Sequence, residues 1–86
     1  MRYKITLYRE PEKTLDRLDR ITAGRIEAKI EELAKDPFSP RLSRKMETVK
    51  EQRYSRVGDW RIIYRVNEAA GTLDIVAIRP RSGAYR

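Results

Sequence analysis

The stretch Arg53-Tyr54-Ser55-Arg56-Val57-Gly58-Asp59-Trp60-Arg61-Ile62-Ile63-Tyr64 decides the fold. Strand-forming residues flank Gly58-Asp59, a pair suited to a tight reversal. Residues two apart on a strand share a face, so Tyr54 projects with Arg56, and Arg61 with Arg65. Ile62, Tyr64 and Val66 alternate with Arg61, Ile63 and Arg65, and the first set is expected to face the helices. One face then serves folding. The other carries guanidinium groups, whose planar five-donor forks suit phosphate.

Outward from this hairpin the rest of the chain reads as strand, helix, helix and strands. Residues 67–71 have turn chemistry, and residues 72–79 form the next strand. Upstream, a weak strand lies around residues 46–49, and residues 38–43, with Pro40 and two serines, read as loop. Asp36-Pro37 ends a helix whose Ile26, Ile30 and Leu33 recur at spacings of four and three, with Thr22 as a candidate cap. Leu15 and Leu18 mark a shorter helix, introduced by Glu10-Pro11-Glu12 with acids where the helix dipole favours them. Residues 2–8 alternate Tyr3, Ile5 and Leu7 with Arg2, Lys4 and Thr6, a half-buried strand. The pattern predicts an α+β fold: a small antiparallel β-sheet with two helices from the N-terminal half packed on one face. The helix stripe is expected to meet Ile5, Leu7, Ile62, Tyr64 and Ile75 or Val76. The position of the strand after the helices in the sheet order does not follow from propensity.

At 86 residues, 40% of them apolar, the chain has material for one domain spanning residues 1–86 with a single core. No run of 18 apolar residues predicts a membrane span, and residues 1–18 are interrupted by charge rather than forming a secretory signal. The chain has no cysteine and no histidine, so neither disulfides nor a zinc site is expected. No cofactor or metal is implied, and a reducing cytoplasm fits. The net charge of +7 is unevenly placed. Residues 41–65 hold eight Lys/Arg against three Asp/Glu, while residues 1–40 hold nine against eight. Such clustering favours a patch for a polyanion or an acidic partner over solubility alone. Singly, each residue has a plainer reading. Arg56 and Arg61 could guard a sheet edge, Trp60 could be core or a base-stacking platform, and Tyr54 divides between cross-strand packing and nucleobase stacking. Lys45, Lys50 and Arg65 read as solvated or backbone-steering charges.

The segment from Arg56 to Tyr64 resembles the arginine-valine-glycine-aspartate-aromatic-arginine-aliphatic-aliphatic-tyrosine signature of the RelE/ParE toxin superfamily. The opening strand, the helix pair and the Arg79-Pro80-Arg81-Ser82-Gly83-Ala84-Tyr85-Arg86 ending resemble a RelE-type toxin over nearly the full chain. The resemblance implies a toxin of a toxin–antitoxin pair that enters the ribosomal A site and cuts mRNA without a metal. It assigns Arg61 to the reactive phosphate, Arg81 to the phosphate and leaving group, and Tyr85 to stacking or proton transfer. Arg56 falls where many members carry Arg or Lys near the scissile site. Arg53, Tyr54, Lys45, Lys50, Arg65, Arg79 and Arg86 would contact mRNA or ribosomal RNA, and Arg79 is a second candidate for the C-terminal role. Some members carry two lysines where this chain has Tyr54 and Arg56, so the general base stays open, with Tyr85 and, remotely, Lys45 as candidates. A cognate antitoxin is the implied protein partner. The alternatives are a ParE-type inhibitor of DNA gyrase and a noncatalytic nucleic-acid-binding module.

Overall fold

The computed structural model describes residues 2–81. The elements run β1 (Lys4–Leu7), α1 (Arg9–Arg17), α2 (Arg20–Lys35), β2 (Arg44–Lys45), β3 (Arg53–Val57), β4 (Trp60–Asn67) and β5 (Thr72–Pro80). They form an α+β layer in which the sheet has the order β1-β5-β4-β3-β2. The sheet is mixed rather than wholly antiparallel: β2 to β5 reverse direction at each step, but β1 lies parallel to β5. The helix pair carries the chain across one face to the far edge. Three reversals then bring β5 back beside β1 running the same way, a consequence of topology that no local propensity encodes.

Helix α1 begins without a side-chain cap, at Tyr8. Its Pro11 occupies the first turn, where the missing N–H would have had no helical acceptor anyway. Helix α2 is capped by Asp19, whose carboxylate accepts the Thr22 N–H at 2.9 Å. Thr22 is therefore the residue capped rather than the cap, because the helix starts two residues before it. Asp36 ends α2 as expected.

Ile26, Ile30, Leu33 and Ala34 of α2 are buried against Val57, Ile62, Tyr64, Leu73, Ile75 and Ile78 of the sheet. Ile5 and Val66 pack at the margin of this core. Leu7, expected inside, is 40% exposed, since it ends an edge strand. Along β5 the pairing jumps at Ile63/Tyr64, leaving Val76 as the extra residue of a bulge. That shift lets Ile75 and Ile78 both face the helices although they are three apart. The Tyr64 hydroxyl donates to the Pro37 carbonyl at 2.5 Å, tying the loop after α2 to the middle of β4. The strand expected at residues 46–49 is instead the two-residue β2 at Arg44–Lys45, because pairing with β3 fixes its position and Met46 already closes the hairpin with Gln52. Between β3 and β4, Gly58 takes a φ of +57 in a two-residue turn, a conformation that costs glycine little.

Candidate functional site

On the sheet face away from the helices, three arginines stand side by side. Arg56 of β3 pairs with Arg61 of β4, and Arg61 pairs in turn with Arg79 of β5. Neighbouring strands lie about 4.8 Å apart, so the three stems start within about 10 Å of one another. Like charges directly opposite on a sheet destabilise it. The protein offsets this repulsion at two of the three positions. The Arg61 guanidinium lies over the Tyr54 ring, 4.7 Å from its centroid, a favourable cation–π geometry. Arg79 makes a two-pronged contact with Glu10 of α1, Nε at 2.9 Å and Nη2 at 3.2 Å. The Glu10 hydrogen bond also raises the Arg79 pKa above its already high value, so its charge is permanent. Arg56 is exposed and has no ion-pair partner among the described residues.

Arg81 continues the row one step beyond β5. Its N–H donates to the Asp59 carbonyl at 2.6 Å, which sets it beside the Gly58-Asp59 turn, and it is exposed. Arg56, Arg61, Arg79 and Arg81 thus occupy one end of the sheet. Tyr85 and Arg86 lie outside the described residues.

The other sequence candidates do not join this group. Lys45 pairs with Arg53 in the β2–β3 register, three residues and about 10 Å along the strand from Arg56. Lys50 lines a separate hollow of about 760 Å³ with Phe38, Met46 and Val66. Arg53 is turned inward to structural work: Nε and Nη2 donate to the Ser43 hydroxyl at 3.0 and 2.9 Å, and its guanidinium sits over the Phe38 ring at 5.5 Å. Arg65 reaches Asp74 at 3.4 Å and the Tyr8 hydroxyl at 3.2 Å. Trp60 packs against the core beneath the turn. Glu10 is the participant that sequence reasoning missed. It lies 69 residues from Arg79, and nothing local connects the two.

A cluster of guanidiniums around an aromatic ring can hold a phosphodiester and stack a base. It supplies fixed positive charge and, among the described residues, no group of three carboxylates or other metal-ligating side chains. Burial pushes the phenol of Tyr64 up, so that group stays neutral in the core and takes no part.

The sequence matches the family model for the ParE toxin of type II toxin–antitoxin systems over residues 5–85. A sequence search among curated proteins finds no match. By structure, the chain is similar to the archaeal RelE–RelB complex from Pyrococcus horikoshii, with 24% identity, 95% of this chain and 98% of that chain covered, and a TM-score of 0.79. It is similar to a mutant of the E. coli toxin RelE in the free state, with 13% identity, coverage of 99% and 90%, and a TM-score of 0.82. It also resembles the YoeB/ParE toxin from Agrobacterium tumefaciens, with 18% identity, coverage of 90% and 96%, and a TM-score of 0.78. With its arginine-lined sheet and helix pair, the chain belongs to the ParE toxin family of type II toxin–antitoxin systems, within the RelE/ParE superfamily.

Proposed function

We propose that this toxin is a ribosome-dependent endoribonuclease that cuts mRNA in the A site without a metal. The observation that carries this reading is the cross-strand row Arg56–Arg61–Arg79, continued by Arg81. Cleavage by the neighbouring 2′-hydroxyl passes through a crowded anionic phosphorane, and fixed guanidiniums stabilise that charge more than the charge of the ground state. Arg61, steadied by Tyr54, faces the reactive phosphate. Arg56 and Arg81 flank it, and Tyr85 stacks on the reacting nucleotide or moves a proton. The chain has no histidine for the usual acid–base pair, so alignment of the substrate by the ribosome supplies a large part of the rate. The toxin works in the cytoplasm, where its substrate is. An antitoxin with an acidic segment that orders on the basic sheet restrains it.

A ParE-type reading, in which the toxin poisons DNA gyrase and cuts nothing, is favoured by one feature. Arg79 is already neutralised by Glu10 and Arg61 is already stacked on Tyr54, which leaves fewer groups for chemistry. Primer extension on mRNA from cells expressing the toxin separates the two. Breaks inside codons are the expected result; DNA damage with intact mRNA overturns the ribonuclease reading. Arg81→Ala and Tyr85→Phe should each relieve growth inhibition and mRNA breakage while antitoxin binding persists. For Tyr85→Phe, a large loss points to proton transfer and a small one to stacking.

A further inference from the structure

Glu10 of α1 brings a carboxylate to the arginine row from outside the sheet. Its Oε2 accepts the Arg79 Nε–H at 2.9 Å, and its Oε1 accepts from Nη2 at 3.2 Å. A guanidinium has five N–H donors, and this side-on grip takes one from Nε and one from Nη2. Both Nη1 hydrogens and the second on Nη2 stay clear of Glu10. The chain entering α1 runs along the β1 side of β5, where the Tyr8 N–H donates to the Ile75 carbonyl at 3.0 Å. Arg61 stands on the other side of β5, in β4. Glu10 therefore holds Arg79 against the repulsion of Arg61 and leaves the end of the fork for an anion.

Both ends of the contact are firmly seated. Pro80 restricts the residue before it to extended backbone, which fixes the root of the Arg79 side chain in β5. On α1, Pro11 is fully buried beside Glu10, and the Thr14 hydroxyl donates to the Glu10 carbonyl at 3.1 Å. The Arg79 and Glu10 side chains are 53% and 47% exposed, and an ion pair so open to water adds little to stability. An untethered arginine stem samples many rotamers, and ordering it on a substrate costs free energy. Glu10 removes that freedom beforehand, as the Tyr54 ring does for Arg61. A plainer role for an acid here is to suit the helix dipole, since Glu10 and Glu12 share the first turn of α1. Glu12 makes no ion pair among the described residues, so it measures that role alone.

We propose that Glu10 is a positioning residue, which holds Arg79 by its Nε edge so that the end of the fork meets the reacting phosphate beside Arg61. The proposal rests on the ribonuclease reading for the identity of that phosphate. Glu10 does not touch the reacting atoms and acts only through Arg79. A lock that withheld Arg79 from substrate would occupy the end of the fork, and the side-on grip leaves that end clear.

The test follows kcat and KM for cleavage of mRNA on programmed ribosomes by the intact toxin, with Tm measured for each variant. Glu10→Gln is expected to lower kcat by about 10- to 100-fold, the scale of a misplaced group. Its KM should be unchanged or lower, because a negative charge near the phosphate is gone, and its Tm should match that of Glu12→Gln. Glu12→Gln, which removes the same first-turn charge, should leave kcat unchanged. Glu10→Asp keeps the charge but is one methylene short, and is expected to lose rate as the Gln variant does. In an Arg79→Ala background Glu10→Gln should add no further loss, since nothing remains to be positioned. A faster Glu10→Gln variant overturns the proposal in favour of a lock, and full rate in Glu10→Asp overturns it in favour of local charge. An added loss in the Arg79→Ala background gives Glu10 a role of its own and overturns it too. A wild-type toxin that cuts no mRNA brings down the ribonuclease reading, and the cleavage role of Glu10 with it. Cleavage that Glu10→Gln leaves untouched brings down the positioning role alone.

Discussion

At the scale of single residues, Arg61 is the position where structure and chemistry are most tightly joined. Arg61→Ala should lower mRNA cleavage by about 100- to 1,000-fold, the range for losing one donor to a developing anion. Arg61→Lys should recover only part of it, because an ammonium can neither fork onto phosphate nor stack flat on Tyr54. Tyr54→Ala, measured beside Tyr54→Phe, isolates the stacking, and only the Ala change should reduce cleavage markedly. Unchanged cleavage in Arg61→Ala would remove the row from the chemistry. Asp19 gives a prediction of a different kind. Its carboxylate is held below the usual range because it accepts the Thr22 N–H at the head of α2. A carboxyl group depressed by folding stabilises the protein above the ordinary value of about 3.9, and that contribution is lost as pH falls through the depressed value. Asp19→Ala should therefore lower Tm at pH 7, and the two melting temperatures should converge below about pH 4. The individual site residues were only partly legible in the sequence. Alternation put Arg56 and Arg61 on one face, because the β3–β4 pairing runs without a bulge across them. The inward turn of Arg53 onto Ser43 and the capture of Arg79 by Glu10 depend on contacts distant in sequence, and no pattern foretells them.

At the scale of elements, the helix stripe and the sheet hold each other. Ile30 is 3% exposed between α2 and the sheet. Ile30→Ala should cost about 2–5 kcal/mol, measured by denaturant unfolding, since the cavity left under a helix cannot collapse fully. Normal stability would mean that the layer is not packed as described. The existence and type of the long elements were readable, because α2 and β4 have strong periodicity and clear boundary residues. Short elements were not. Two residues of β2 have no internal pattern, and they are a strand only because Tyr54 and Arg53 stand opposite them. The Thr22 misreading has the same origin: a threonine and an aspartate three apart both suit a helix start, and only geometry shows which accepts. The Val76 bulge is equally silent in sequence, yet without it Ile75 and Ile78 would face opposite sides.

At the scale of the whole molecule, the sheet order explains why the local reading fell short at one point: the first strand is completed only by the last. β1 finds its sheet partner in β5, with Lys4 opposite Thr72, and the two ends of the fold are clasped again where Arg79 grips Glu10. Contacts so far apart in sequence form late, because loop closure must precede any reward from the pairing. A chain stopped after Asn67 should therefore remain open to limited proteolysis, whereas one continued through Arg81 resists it; resistance of the shorter chain would contradict this order of assembly. The same order has a consequence for timing during synthesis. A growing copy of this toxin has its basic residues early but no finished sheet to array them on until β5 has emerged. Arg61 then gains its neighbour Arg79 in the same event that completes the fold. The arginine row is thus unassembled while the chain is being made, and it comes together only once β5 has emerged to stand beside β4.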